Sequence, residues 1–156
     1  MKKLIVIDMQ QDFINENTKK SIEEINSLIE SNEYDDIIFT RYIGSSEKLA
    51  YKELGDTSGL TPEGMEIVVD YKDYKILDKK SYSVYETLKE FISLDDEIYL
   101  CGVDVDCCVL LSAINLYENN YNVYVLKDYS YCMNGEDTKS QALHVLTRNI
   151  GEKRVI

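Results

Sequence analysis

The chain has 156 residues, of which 44% are hydrophobic, and a formal net charge of −12 at pH 7. These values are typical of one globular domain over residues 1–156, and the negative charge argues against nucleic acid or an anionic membrane as a partner. The amino terminus lacks the long apolar core of a signal peptide, and no segment approaches the length of a membrane span. The four cysteines show neither a disulfide framework nor zinc spacing. We therefore expect reduced thiols and a cytoplasmic protein.

The first half of the chain predicts two buried strands separated by a helix. Short β-branched runs at 3–7 and 36–40 predict the strands, and apolar residues at helical spacing predict a helix over 18–29. From 42 to 73, glycines and the only proline predict mostly loop with one short helix. Such an excursion after a strand end often forms a lid or the wall of a pocket.

The second half predicts further alternation of strands and helices. Strands are predicted at 74–77, 98–101, 122–126 and 154–156. Helices are predicted at 83–92 with Ser83 as its cap, from Cys108 onward, and at 136–150. Regular alternation predicts an α/β protein, a single-domain Rossmann-like three-layer α/β/α fold with a mostly parallel sheet of about six strands.

Three side chains of different chemical type follow strand ends. Asp8 ends the first strand, Lys79 follows the third, and Cys108 follows the fourth. Right-handed crossovers place the carboxyl ends of all parallel strands at one edge of the sheet, where ligands bind near the switch point in strand order. We therefore expect a carboxylate, an ammonium group and a thiol to converge there.

The residues around Cys108 favour a nucleophilic thiol. Cys108 begins an apolar helix after a tight turn, so the helix dipole and a nearby Lys79 are expected to lower its pKa. Asp8 could take the thiol proton, and backbone N–H groups of the turn could hold an oxyanion, which suits acyl transfer through a thioester followed by hydrolysis. The plainer alternatives are a packed core cysteine, a helix-capping aspartate and a solvated lysine.

Three motifs together resemble the isochorismatase-like cysteine hydrolases, the superfamily that includes the nicotinamidases. They are IDMQQDF at 7–13, DKKSYSVY at 78–85 and GVDVDCCV at 102–109. The resemblance covers nearly the whole chain, with the motifs in the right order. It assigns the family's lysine to Lys79 rather than to Lys80.

The resemblance implies a role for each matching residue. Asp8 would be the general base, Lys79 the catalytic lysine and Cys108 the nucleophile. The family's cis peptide bond would fall at Val103–Asp104, and the backbone N–H groups of Asp104 and Cys108 would form the oxyanion hole. We expect replacement of Asp8 or Lys79 to reduce turnover before it reduces stability.

Other positions either extend the site or depart from the family. Phe13, Arg41 and Tyr82 adjoin the strand ends and the motifs, and we expect them to line the pocket. Val105 stands where the family usually has threonine, which removes a hydroxyl group from the nucleophile loop.

A metal is not expected. Nicotinamidases carry an aspartate and two histidines as metal ligands just after the second strand, whereas the matching positions here are Tyr42 and Gly44. The only histidine, His144, lies in the last predicted helix. We therefore predict no metal and no cofactor, which argues against nicotinamide as the substrate. Isochorismate-cleaving members lack the cysteine, so their reaction is not expected either.

The sequence thus predicts a hydrolase that cleaves a small amide through a thioester at Cys108. The alternative is an inactive family member that binds a small metabolite or a partner protein. A redox protein that uses Cys107 and Cys108 is a weaker third reading, because adjacent cysteines form a strained disulfide. The apolar helices would permit a homo-oligomer.

Overall fold

In the computed structural model, which describes residues 1–71 and 73–156, five strands form one parallel sheet in the order β3-β2-β1-β4-β5. The strands are β1 Lys2–Ile7, β2 Asp36–Tyr42, β3 Lys75–Lys79, β4 Glu97–Gly102 and β5 Asn122–Ser130. The helices are α1 Ser21–Glu30, α2 Leu49–Leu54, α3 Tyr85–Leu88, α4 Cys108–Glu118 and α5 Glu136–Ile150. The predicted single-domain α/β fold is confirmed.

The two faces of the sheet support separate apolar layers. Successive side chains of a strand point to opposite faces, and β1 shows this alternation clearly. Ile5 and Ile7 pack in a cluster that contains the buried residues of α3, α4 and α5. Leu4 and Val6 pack in the other cluster, with the buried face of α1. The sheet is therefore the middle of three layers, as predicted.

The predicted sixth strand at 154–156 is wrong. After α5 ends, Gly151 turns the chain with a φ of +94°, and residues Glu152–Arg154 form a 3₁₀ turn. Only a single parallel bridge between Val155 and Val125 reaches the sheet. The turn takes up Arg154 and leaves only Val155 and Ile156 beside β5, so the sheet ends at β5 among the described residues.

The helix predicted at 83–92 is much shorter than expected. It is α3, a single turn that ends at Leu88, whose side chain is fully buried. Val84 occupies the cap position, although the Ser83 Oγ accepts a hydrogen bond of 3.2 Å from the Tyr85 N–H. In the long excursion after β2, α2 is the one short helix that the sequence predicted.

The strand order reverses between β1 and β4. β2 and β3 lie on one side of β1, while β4 and β5 lie on the other. Gly102 ends β4 with a φ of +115°, and a Cβ there would lie 2.1 Å from the Ile7 carbonyl oxygen, so only glycine allows this close approach. The carboxyl ends of β1 and β4 therefore flank the crevice that a switch point creates.

None of the helices in the described part of the chain combines the length and the apolar character needed to cross a bilayer.

Candidate active site

The structure brings Asp8, Lys79 and Cys108 together at the carboxyl edge of the sheet. The Lys79 Nζ lies 2.6 Å from the Asp8 Oδ2, and both side chains are fully buried. The same Nζ lies 3.7 Å from the Cys108 Sγ, and Cys108 is 5% exposed. The residues come from the ends of β1 and β3 and the start of α4, so the expected convergence is found.

Thr40 holds the Asp8 carboxylate. Its hydroxyl donates a hydrogen bond of 2.7 Å to the Asp8 Oδ1, and it accepts one of 3.2 Å from the Asp8 N–H. Asp8 has a φ of +48°, the left-handed region, directly after β1. Apart from the Lys79 ammonium, its Oδ2 has no polar partner in the described part of the chain. One oxygen is thus fixed while the other faces the lysine.

The Lys79 ammonium group has more acceptor atoms nearby than it has N–H donors. Its Nζ lies 2.9 Å from the Ser81 carbonyl oxygen and 3.0 Å from the Tyr82 carbonyl oxygen, besides the contact with Asp8. An ammonium group has three N–H donors, and these three nearer oxygens occupy them. The sulfur of Cys108 at 3.7 Å therefore receives only a weak, shared interaction.

The loop between β4 and α4 presents free donors. The peptide bond between Val103 and Asp104 is cis, at the position that the family resemblance implies. Within the ranges 1–71 and 73–156, neither the N–H of Asp104 nor that of Cys108 donates a hydrogen bond. Two backbone donors thus remain available next to the thiol.

The segment after β5 holds this loop in place. The Asp104 Oδ1 accepts a hydrogen bond of 2.8 Å from the Met133 N–H, and the Val105 N–H donates one of 2.8 Å to the Tyr131 carbonyl oxygen. The Val105 side chain is fully buried in the core. Where the family usually has a hydroxyl group, this loop therefore has an apolar anchor.

The pKa of Cys108 differs from the sequence-based expectation. A hydrogen bond to Cys107, burial and the charge of Asp8 together raise the pKa of the Cys108 thiol well above its usual value, and Lys79 only partly opposes them. The same hydrogen bond lowers the pKa of Cys107, although burial opposes this shift. The prediction of a lowered Cys108 pKa is wrong, because the hydrogen bond to Cys107 and burial outweigh the attraction of Lys79.

The Cys108 thiol opens into a small pocket of about 180 Å³. Phe13 and Tyr82 lie in its wall, where the sequence placed them. The full set of lining residues is Phe13, Tyr42, Asp56, Ser58, Tyr82, Asp104, Cys107, Cys108 and Met133. Asp56 and Ser58 belong to the excursion between β2 and β3, so this segment forms the pocket wall that its position suggested.

Arg41 does not line this pocket, contrary to the sequence-based expectation. Its guanidinium group forms a two-pronged ion pair with Asp78, with distances of 2.7 and 3.1 Å. Arg41 stands opposite Asp78 in the β2–β3 register, and Tyr42 stands opposite Lys79. Because side chains alternate along a strand, Tyr42 and Lys79 face the pocket while Arg41 and Asp78 face away from it.

Several residues of the site were missed by sequence reasoning. They are Thr40, Tyr42, Asp56, Ser58 and Met133. Thr40 and Tyr42 could have been found from the alternation along β2, since they flank Arg41. The other three lie outside the strands, where no periodic pattern indicates which way a side chain points.

The residues do not fit the metal site of the nicotinamidases. The segment between β2 and β3 contains no histidine, and His144 is exposed on α5. Among the described residues, one group of three possible ligands occurs, Asp104, Asp106 and Cys132, whose ligand atoms lie within 4.8 Å of one another. This group does not reproduce an aspartate with two histidines.

Solved structures share this fold over nearly their whole length. A pyrazinamidase of Pyrococcus horikoshii in complex with zinc is 23% identical, with a TM-score of 0.75 and coverage of 95% of both chains. A nicotinamidase from Bacillus subtilis is 21% identical, with a TM-score of 0.74 and 96% of both chains covered. An N-carbamoylsarcosine amidase from Thermoplasma acidophilum is 21% identical, with a TM-score of 0.76, covering 93% of this chain and 92% of that one.

Family membership rests on a separate comparison. No curated protein sequence matches this chain, and the solved structures are too distant in sequence to show more than the fold. The family model described as the isochorismatase domain, however, matches residues 2–152. Because the match covers nearly the whole chain, this protein belongs to the isochorismatase family, which is part of the superfamily of isochorismatase-like hydrolases.

Proposed function

We propose that this protein is a cysteine-dependent hydrolase that cleaves a small amide through a thioester intermediate. The observation that carries the proposal is the contact of the Lys79 Nζ with both Asp8 and Cys108, whose thiol lies at a small pocket. Structural relatives named as a nicotinamidase and an N-carbamoylsarcosine amidase support amide hydrolysis as the reaction class.

In the first step, Cys108 attacks the amide carbon. Because its pKa is raised, the thiol is protonated at rest, so the attack requires a base. Asp8 takes the S–H proton as the C–S bond forms, and the carbonyl electron pair moves onto oxygen. The unused N–H groups of Asp104 and Cys108 are suited to hold that oxyanion.

In the second step, the tetrahedral intermediate collapses. The C–N bond breaks, and Asp8 returns its proton to the leaving nitrogen, so ammonia or an amine departs and a thioester remains. Asp8 then takes a proton from water while the hydroxide attacks the thioester carbon. The C–S bond breaks, the carboxylic acid leaves, and the Cys108 sulfur regains a proton.

Lys79 positions the base and balances its charge. Three oxygens hold its ammonium group, one of them from Asp8, so Asp8 keeps one orientation. When Asp8 becomes protonated, the ammonium is no longer neutralised and can stabilise negative charge on the nearby sulfur or oxyanion. The pair is thus suited to move one proton back and forth without leaving an isolated buried charge at rest.

The test is a panel of small amides assayed for ammonia release, with Cys108→Ala as the blank and Cys107→Ala as the matched neighbour. We expect Cys108→Ala to lower the rate at least about a thousandfold, the scale of losing a nucleophile. Cys107→Ala should retain activity within about tenfold, since its thiol forms no bond in the reaction. Hydroxylamine should trap an acyl group from Cys108 as a hydroxamate.

Two outcomes would overturn the proposal. Equal losses in the two cysteine variants would remove the distinction between nucleophile and neighbour. A wild-type protein that binds small amides but hydrolyses none would support an inactive pocket that binds a metabolite.

A further inference from the structure

The wall of the pocket is acidic. Asp56 and Asp104 both contribute to it, and no lysine or arginine is among the described residues that line it. The nearest cation beneath the pocket, Lys79, is already paired with Asp8 at 2.6 Å. A ligand that enters therefore meets two carboxylates without a free positive charge to balance them.

Asp56 is not committed to a partner inside the protein. Its Oδ1 accepts a hydrogen bond of 2.9 Å from the Ser58 N–H. It forms no ion pair with any residue in 1–71 or 73–156. A half-buried carboxylate with a free oxygen at the wall of a pocket is well placed to bind a cationic group of a ligand.

Lys48 and Lys80 line a different groove, although the Asp56 carboxylate lies near enough to oppose the lowering of the Lys48 pKa by burial. This groove, of about 270 Å³, shares Tyr42 and Tyr82 with the pocket but is lined by Lys48 and Lys80. The Lys48 Nζ donates hydrogen bonds to the Tyr42 hydroxyl, at 3.2 Å, and to the Lys80 carbonyl oxygen. The tyrosines thus separate a basic groove from an acidic pocket.

Aromatic rings complete the wall. The ring of Phe13 lies 6.4 Å from that of Tyr42, which in turn lies 5.9 Å from that of Tyr82. The Tyr42 ring already has the ammonium groups of Lys48 and Lys79 nearby, at 4.6 and 5.1 Å. Phe13 and Tyr82 have no such cation among the described residues, so their faces are available. Aromatic faces attract cations, and a neighbouring carboxylate adds to this preference.

The size of the pocket limits the substrate. Its volume of about 180 Å³ lies below the roughly 300–1,000 Å³ of most ligand pockets, so the pocket suits a small amide.

Resting on the proposed function, we infer that the substrate is a small amide bearing a positively charged nitrogen, and that Asp56 recognises this charge. The amide carbon would lie against Cys108 and the cationic end between Asp56 and the free aromatic faces. Asp56 would thus be a specificity-determining residue and take no part in proton transfer.

Three amides of matched length test the inference, because they differ in charge at the far end. They are 3-aminopropanamide, which is cationic at neutral pH, butanamide, which is neutral, and succinamate, which is anionic. We expect kcat/KM for 3-aminopropanamide to exceed that for butanamide by at least about tenfold, the scale of a cation beside aromatic and carboxylate groups. Succinamate should be the poorest of the three.

Asp56→Asn should bring the ratio of kcat/KM for 3-aminopropanamide to kcat/KM for butanamide close to one, because the carboxylate that recognises the positive charge is gone. The matched control is Asp95→Asn, which removes one negative charge from an exposed loop outside the pocket. Equal preferences in both variants would show that only the net charge of the protein matters, and would overturn the role of Asp56.

Binding to Cys108→Ala separates this inference from the proposed function, because it needs no turnover. Calorimetric titration should give a lower Kd for 3-aminopropanamide than for butanamide. If this order holds while the wild-type protein hydrolyses none of the three, the inference stands and the proposed hydrolase fails. A lower Kd for butanamide or succinamate would overturn the inference, whatever the activity.

Discussion

The sheet carries one buried lysine–aspartate pair at the edge formed by the carboxyl ends of its strands and another at the edge formed by their amino ends. At the carboxyl edge, Lys79 and Asp8 are 2.6 Å apart and have no exposed side-chain surface. At the amino edge, Lys3 and Asp96 are 3.7 Å apart and keep 11% and 9% of their side-chain surface exposed. The same two residue types thus occur in two settings within one sheet.

The two pairs differ in their other partners. Both oxygens of Asp96 accept hydrogen bonds, Oδ1 from the terminal amine of Met1 and Oδ2 from the Ser93 N–H. In the described structure, the Asp8 Oδ2 has only the Lys79 ammonium and lies beside a thiol. A carboxylate whose oxygens are all bonded supports the fold, whereas one with an open side next to a pocket can exchange a proton with a substrate.

The largest expected effect distinguishes the two lysines. Lys79→Met leaves the fully buried Asp8 charge without its partner, so we expect it to lower the free energy of unfolding by about 3–5 kcal/mol. It should also lower any amidase rate by at least about a hundredfold. This expected loss of stability differs from the sequence-based expectation, in which turnover would suffer before stability.

Lys3→Met is the control for this change. Asp96 keeps the terminal amine and the Ser93 N–H, so we expect a loss of only about 1 kcal/mol and unchanged kcat/KM. Urea unfolding measures the stability of both variants, and ammonia release their activity. Comparable stability losses would mean that the two edges do not differ.

Substitution of Asp8 and of Asp96 should distinguish a carboxylate needed for activity from one that only stabilises the fold. Asp8→Asn keeps the hydrogen bond from the Thr40 hydroxyl but removes the base, so we expect the rate to fall about a hundredfold or more. Asp96→Asn should leave the rate within about twofold, because Asp96 lies at the opposite edge of the sheet. Rates must be compared below the unfolding midpoint of each variant. An Asp8→Asn enzyme with wild-type kcat would remove the general base from the mechanism.

The thiols give a smaller effect. With its lowered pKa and half-buried position, Cys107 should react faster than Cys108 with methyl methanethiosulfonate at pH 7.5, by about tenfold. Cys101 is fully buried and should stay unmodified in the folded protein. Peptide mapping after short exposures measures the order. Faster modification of Cys108 would restore the sequence-based expectation of a low pKa there.

The smallest expected effect is a difference in pH dependence. Hydrogen bonds from Ser93 and the terminal amine outweigh burial and lower the pKa of Asp96. Burial, with a contribution from Asp106, raises the pKa of Asp104 to about 6, against hydrogen bonds from Met133 and Cys132. The stability that Asp96 provides is therefore present above about pH 4 and is lost in acid, whereas the burial cost of Asp104 appears as pH rises from about 4 to 6.

Asp104→Asn should consequently gain about 1 kcal/mol relative to wild type between pH 4.5 and pH 7.5, after allowance for partial solvent exposure. Asp96→Asn should show the opposite trend, with a larger loss at pH 7.5 than at pH 4. Urea unfolding at both pH values provides the measurement. Parallel pH profiles for the two variants would contradict the assigned directions.

The sequence predicted those parts of the site that strand ends determine. Asp8, Lys79 and Cys108 each adjoin a strand or helix end, and the parallel sheet brings such positions together. Arg41 was misplaced for a related reason: one residue along a strand reverses the side on which a side chain lies. The ends of helices and strands were thus predictable. The side of the sheet on which the Arg41 side chain lies could be assigned only from the register between β2 and β3.

The rest of the site depends on contacts between distant segments. The positions of Asp56 and Met133 follow from how the excursion after β2 and the turn after β5 fold back onto the sheet, and neither segment has a periodic pattern. The pKa of Cys108 depends on Cys107, burial, Asp8 and Lys79 together, so the helix terminus and the lysine by themselves predicted the wrong direction. The shortened α3 and the missing sixth strand show the same limit for local patterns.

The bonds from Tyr131 and Met133 to the nucleophile loop have a consequence for protein synthesis. Asp8, Lys79 and Cys108 all leave the ribosome before the residues that anchor this loop. A nascent chain that stops at Ser130 carries the whole set of reactive groups but lacks the two backbone groups that hold Asp104 and Val105. The loop before Cys108 can therefore reach its anchored position only after Met133 has been synthesised.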